Sequence, residues 1–233
     1  MDYTLRGQTY KLCGILNGTD YDKKDFDPKV KPEFKAQVQK MFGLPQNPQR
    51  PLIAMISRLV YQKGLSLIDF AKFDLMSQPA DFVFLGTGEH GFENMLIWVS
   101  NNSSNMRAWI DFKPELSETI YKGADMFLMP SLFEPCGISQ MIAMKYGTPP
   151  IVRAVGGLDD TVISYPNKQA NGFKFLTYDA RSMVDEIKKA IWTYIDRRDE
   201  FNKIVHNAIK SKFTWQDSAI KYKLLYLDAL GRK

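Results

Sequence analysis

Pro51-Leu52-Ile53-Ala54-Met55-Ile56-Ser57-Arg58-Leu59-Val60-Tyr61-Gln62-Lys63-Gly64 decides the fold class. Leu52 to Ile56 is apolar without alternation, and it breaks off into a cationic loop ending in glycine. A strand wetted on one side alternates in polarity, whereas one covered on both faces does not. The same unit recurs. Phe82–Leu85, Met106–Ile110, Met126–Met129 and Pro150–Val152 read as buried strands, and Gly172–Phe175 as a last one. Helical stretches near 64–76, 89–100, 115–123, 137–146 and 158–164 lie between them. This alternation predicts an α/β fold with a parallel, doubly wound, Rossmann-like sheet. Ligands of such sheets bind at the carboxyl ends of the strands.

Outward from this block the pattern weakens. Residues 1–50 are rich in turn signals such as Asn17-Gly18, Asp27-Pro28 and Gln46-Asn47-Pro48, with one short helix expected over Glu33–Phe42. They read as a lead-in and interdomain crossover, and 51–212 as the folded domain. Within that domain, 179–197 and 199–211 are amphipathic helices. Residues 213–233 hold a last helix, Thr214 to Leu230, capped by Thr214 and stopped by Gly231, which is expected to return to an N-terminal domain.

Composition narrows the function. The net charge is +5, but Lys188, Lys189, Arg197 and Arg198 stand among Asp196, Asp199 and Glu200, which is a solvated surface and not a nucleic-acid face. No apolar run is long enough to cross a membrane, and Met1-Asp2-Tyr3 does not open a signal peptide. Cys13 and Cys136 form no CxxC pair, so a reducing, cytoplasmic setting is expected. His90 and His206 are too separated for a zinc site.

The polar motifs all follow predicted strands. Arg58 and Lys63 can grip a diphosphate, though alone they read equally as surface cations. Gly86-Thr87-Gly88 and Gly156-Gly157-Leu158 are turns where backbone N–H groups can meet an anion or a sugar hydroxyl; neither is a dinucleotide fingerprint or a phosphate loop. Glu134 can accept hydrogen bonds from sugar hydroxyls on a loop whose helix begins at Gly137. Phe112 reads equally as core or as a platform that stacks on a base.

Asn17-Gly18-Thr19-Asp20, Ser57–Gly64, Gly86-Thr87-Gly88, Phe133–Gln140, Lys145-Tyr146-Gly147-Thr148 and Gly156–Val162 occur in that order. The set resembles the bacterial glycogen synthases and plant starch synthases over nearly the whole chain. The resemblance implies the C-terminal half of a GT-B glycosyltransferase of glycogen biosynthesis, a transferase moving glucose from ADP-glucose to an α-1,4-glucan with retention. It implies that Arg58 and Lys63 hold the diphosphate and stabilise the leaving group, and that Glu134 binds glucose hydroxyls. Backbone at Cys136, Gly137, Ser139 and Gln140 would hold sugar and phosphate. Phe112 stands where the family has a tyrosine on adenine, and Asn17, Gly86, Gly88, Gly156 and Gly157 complete the expected donor site. No cofactor and no metal are expected. Thr19 and Val155 depart from common family residues; Ile142 stands where related retaining transferases carry a second glutamate, which glycogen and starch synthases commonly lack too, and this favours an adenine over a uridine donor.

The family's Lys-x-Gly-Gly-Leu motif is absent, so the chain is expected to be cut from a longer protein and inactive without its N-terminal domain. The rival readings are a transferase using UDP-glucose, a noncatalytic nucleotide- or glucan-binding module, and a sugar-nucleotide epimerase.

Overall fold

The computed structural model describes residues 2–21 and 25–231. Six strands form one sheet: β1 Leu52–Ile56, β2 Asp81–Gly86, β3 Met106–Ile110, β4 Met126–Met129, β5 Pro150–Arg153 and β6 Phe173–Phe175. Their order is β3-β2-β1-β4-β5-β6, and every pairing is parallel. The chain runs outward from β1 in one direction, then returns to β1 and runs outward in the other. The strand order therefore switches between β1 and β4, where such folds open a crevice.

Ten helices are described: α1 Asp2–Arg6, α2 Lys31–Met41, α3 Leu65–Met76, α4 His90–Asn102, α5 Pro114–Gly123, α6 Ser139–Lys145, α7 Gly156–Thr161, α8 Ala180–Asp196, α9 Arg198–Lys210 and α10 Trp215–Ala229. Successive strand residues feed opposite cores, as the two-residue repeat requires. Ile53, Met55, Phe82 and Phe84 pack with Ile68 and Leu75 of α3, Leu96 of α4, Ile187 of α8 and Ile204 of α9. Leu52, Ala54, Val83 and Leu85 pack with Val38 of α2, Ile120 of α5, Ala143 of α6 and Leu158 of α7. Both faces are covered, which explains the unbroken apolar runs.

The chain divides into two compact units, Tyr21–Lys212 and Met1–Asp20 with Phe213–Lys233. The boundary expected at residue 50 therefore moves. Val38, Phe42 and Leu44 are core residues of the larger unit, and burying each such side chain is worth about 1.5–3 kcal/mol. The final helix, in turn, belongs with the first twenty residues. There the Thr19 N–H donates to Phe213 O at 2.8 Å, and Ser218 Oγ to Leu16 O at 2.7 Å. Thr214 caps α10 by accepting the Asp217 N–H at 3.1 Å.

Helix α8 carries a cap with a pH signature. Asp179 accepts from the Ser182 N–H at 2.8 Å and from its hydroxyl at 2.7 Å. These bonds, the backbone one foremost, with Thr177 also contributing, hold its carboxyl down to about 2 from 3.8. A depressed carboxylate stabilises the fold fully above its unfolded pKa, and the contribution is lost as pH falls through the folded one. Asp179→Asn keeps a cap but cannot titrate. Thermal melts followed by circular dichroism should lose part of their pH dependence between about pH 4 and about pH 2; an unchanged acid limb would refute this role.

Candidate functional site

The carboxyl ends of β1, β2, β3, β4 and β5 carry the polar motifs. Two neighbouring cavities open there. One of about 210 Å³ is lined by Ser57, Arg58, Lys63, Ser131 and Ser139, with Met55, Leu128 and Met129 as its floor. The other, of about 180 Å³, is lined by Gly86, Thr87, Asp111, Phe112, Lys113 and Ser117. Ser57 and Arg58 line both. Arg58 therefore stands between two compartments, and its exposed guanidinium makes no hydrogen bond or ion pair with the described residues.

Lys63 and Glu134 meet. The Lys63 ammonium forms a short ion pair with Glu134 Oε2, the two side chains being 18% and 10% exposed. Ser131 Oγ donates to the same carboxylate oxygen at 3.4 Å. Lys63 is thus no solvated surface cation, and Glu134 is held at the cavity whose walls include Lys63 and Ser131. Two loops bring the pair together. Leu132 N–H donates to Gln62 O at 2.8 Å, and Gln62 Nε2 to Phe133 O at 3.1 Å.

Sequence reasoning missed Arg153, which braces the Glu134 loop. It ends β5, its Nε donates to Ser131 O at 2.9 Å, and its Nη2 donates to Leu132 O. Its place at a carboxyl strand end, like every motif named above, was the available signal.

Phe112 is 81% exposed at the mouth of the second cavity, which removes the core reading. Asp111 Oδ1 accepts its backbone N–H at 2.8 Å, fixing the turn that holds the ring out. Lys113 lies over the Trp109 ring at 4.6 Å and pairs with Asp111 at 3.4 Å.

Several N–H groups of the glycine turns already have acceptors. The Gly88 N–H donates to Glu93 Oε1 at 2.9 Å, a bond that is the main reason the Glu93 carboxyl lies below its ordinary pKa. The Gly157 N–H donates to Glu134 O, and the Leu158 N–H to Val155 O, both at 3.1 Å. These three groups are therefore engaged within the protein. The glycines also serve loop packing. A Cβ on Gly86 would lie 1.9 Å from Ser57 O, and one on Gly157 1.9 Å from Cys136 O; Gly88 and Gly156 press equally on the carbonyls of Leu59 and Glu134. Side chains at these positions would force the cationic and carboxylate loops apart.

The helix expected from Gly137 begins at Ser139, because Gly137 takes the left-handed conformation, φ +69°. Gln140 is fully buried, and its Nε2 donates to the carbonyls of Cys136 and Gly137 and to Thr161 Oγ1. Its Oε1 has no partner among the described residues. What Cys136, Gly137 and Gln140 can offer a ligand is accordingly backbone. The Ser139 hydroxyl engages Tyr121, whose phenol is pushed up to about 12, chiefly by burial. Asn17 lies in the smaller unit. Among the described residues no group of three or more His, Cys, Asp or Glu is placed to hold a metal ion, and no helix is long and apolar enough to cross a membrane.

Comparison with known proteins completes the description. The pattern defining "Glycosyl transferases group 1" matches residues 37–209. The chain is 44% identical over 245 residues to a glycogen synthase of Clostridioides difficile (strain 630), covering 98% of this chain and 51% of that protein. It is 41% identical over 246 residues to one of Clostridium acetobutylicum, covering 99% and 52%. It therefore spans about half the length of these relatives. Among solved structures, the catalytic domain of starch synthase IV from Arabidopsis thaliana, bound to ADP and acarbose, superposes with a TM-score of 0.86 at 33% identity, covering 99% of this chain and 51% of that one. Sucrose-phosphate synthase from Thermosynechococcus elongatus shares the fold, with a TM-score of 0.68 at 21% identity, covering 100% and 57%.

Proposed function

Because this chain belongs to the group 1 glycosyltransferases, with glycogen synthases as its relatives, we propose that it is the donor-binding half of an enzyme that transfers glucose from ADP-glucose to the non-reducing end of an α-1,4-glucan, with retention. The observation that carries this reading is the Lys63–Glu134 pair beside the unpaired Arg58, at the junction of two cavities. On this reading the diphosphate takes Arg58 and Lys63, and the glucose lies in the 210 Å³ cavity within reach of Glu134. The adenine lies in the 180 Å³ cavity against Phe112. The ADP and acarbose of the starch synthase IV structure support a nucleotide and a glucan as ligands.

The chemistry follows from charge. As the bond from glucose C1 to the phosphate oxygen breaks, negative charge grows on the diphosphate. The acceptor 4-hydroxyl attacks C1 from the same face, and its proton passes to a phosphate oxygen. Arg58 and Lys63 stabilise that charge more in the transition state than in the ground state, as catalysis requires. The cations supply this neutralisation without a metal. The second wall of the cleft and the acceptor groove belong to the other half of the enzyme. Without that half, water reaches the diphosphate and weakens each charge contact.

Calorimetry of this chain with ADP tests the reading. Weak binding of ADP is expected, and Glu134→Gln should retain or tighten it, because the carboxylate is assigned to the sugar and its loss frees Lys63 for the diphosphate. In the assembled enzyme the same substitution should cut transfer of radiolabelled glucose to glycogen. A large loss of ADP affinity in Glu134→Gln would place the residue elsewhere. Sustained transfer by this chain alone would overturn its reading as half of an enzyme.

A further inference from the structure

At the opposite end of the sheet lies a cavity of about 410 Å³, larger than either compartment of the donor cleft. Lys31, Lys35 and Arg198 line it against a single carboxylate, Asp125. Asp125 immediately precedes β4 and its Oδ2 accepts the N–H of Leu52, the first residue of β1, at 2.8 Å. The cavity is therefore at the amino ends of the strands and belongs to no part of the cleft described above.

Its cations divide by role. Lys35 is 3% exposed, and its ammonium is committed to Asp125 at 2.7 Å, Pro48 O at 3.0 Å and the Tyr194 hydroxyl at 3.1 Å. Lys31 is committed to Lys122 O and Tyr146 O, both at 3.1 Å, and to Thr148 Oγ1 at 2.7 Å. An ammonium has three donors, so both lysines have none to spare. Lys35 brings a charge that Asp125 offsets, and Lys31 one that burial makes costly to keep. Arg198 differs. Its guanidinium lies 3.6 Å from the Tyr194 ring centroid, and it has no hydrogen bond or ion pair with the described residues. Stacking immobilises the plane of an arginine and leaves its edge of N–H groups free for a bidentate contact. The side-chain amides of Gln49 and Asn202, also on the wall, are likewise uncommitted, and Phe201 and Val205 add an apolar side.

We propose that this cavity is a second ligand site, specific for a small phosphorylated compound, with Arg198 gripping the phosphoryl group and Gln49 and Asn202 binding the polar part of its body. A phosphoryl group fits because it offers several acceptor oxygens and the negative charge that Arg198 lacks among the described residues. Desolvation supports this reading, for it pulls Lys31 down to about 7 against the pull of Asp125, with Lys35 lowering it further. A lysine so placed gains from an anion brought near it.

Isothermal titration calorimetry of the protein with ribose 5-phosphate and with orthophosphate tests the proposal. Arg58→Ala is titrated alongside, so that binding in the donor cleft can be subtracted. One binding event should persist in Arg58→Ala and weaken about tenfold or more in Arg198→Ala, as expected for loss of a charge-assisted contact. Asn202→Asp, which sets a carboxylate on the wall without touching the Tyr194 stack, should weaken it too. Tighter binding of the sugar phosphate would assign the amides and apolar side to the body of the ligand, and equal binding would assign the site to phosphate itself. The proposal is overturned if neither anion binds, or if binding survives both Arg198→Ala and Asn202→Asp.

Discussion

Replacing Lys63 with alanine is expected to lower glucose transfer by the assembled enzyme by a factor of about 10²–10³, or roughly 3–4 kcal/mol of transition-state stabilisation. Two losses combine. On the proposed reading, the substitution removes a cation from the place where the leaving diphosphate gathers charge. It also leaves Glu134, 8% exposed, with only the Ser131 hydroxyl at 3.4 Å. An unpaired carboxylate at that depth is costly to keep, and with its ammonium partner gone it is no longer held in place for sugar hydroxyls. Steady-state kinetics should show the loss mainly in kcat, since the contact strengthens as the bond breaks. The sheet and its two cores do not depend on Lys63, so the circular dichroism spectrum should be that of the parent. Arg58→Ala should lose turnover in the same way, without disturbing Glu134. Turnover within about twofold of the parent in both variants would remove these residues from the chemistry.

The second large effect is on stability. Lys35→Met should cost about 3–5 kcal/mol, the range for stripping one partner from a buried ion pair. Asp125 would then keep the Leu52 N–H but lose its cation, while Pro48 O and the Tyr194 hydroxyl would each lose a donor. For a domain of this size that corresponds to a fall in Tm on the order of 10 °C. Asp125→Asn added to Lys35→Met should recover part of the loss, because it removes the stranded charge. Thermal melts of the single and double variants make the comparison. A fall of less than about 1 kcal/mol in the single variant would mean that the pair contributes little, as exposed pairs do.

The sheet was legible because unbroken apolar runs such as Leu52–Ile56 leave few alternatives, and the carboxyl-end position of Arg58, Lys63, Phe112 and Glu134 followed from it. Other features could not be read in one dimension. The Gly88 and Gly157 N–H groups have acceptors on Glu93 and Glu134, so their being engaged depends on partners up to 23 residues away. Phe112 is as apolar as a core residue, and only its turn decides that it faces out. Lys31, Lys35 and Arg198 look like ordinary surface cations in sequence; folding walls them together. The larger unit reaches back to residue 21 because Val38, Phe42 and Leu44 fill the core, although their segment lacks a strong periodic signal.

The contact between Lys63 and Glu134 also bears on which solutes the resting cleft accepts. Each group is the other's counter-ion, so the empty site exerts less net attraction on a passing anion than its lysine alone would. Binding there is an exchange. An anion without donors, such as sulfate, can displace the carboxylate from Lys63, but it has nothing to return to Glu134. On the proposed reading, a nucleotide sugar supplies both replacements, phosphate oxygens for the lysine and hydroxyl donors for the glutamate. Any glucose ester of a nucleoside diphosphate meets that condition equally, so it filters out bare anions without distinguishing one nucleotide from another. On the proposed reading, the choice of base then falls to the separate compartment bounded by Thr87, Asp111, Phe112 and Ser117.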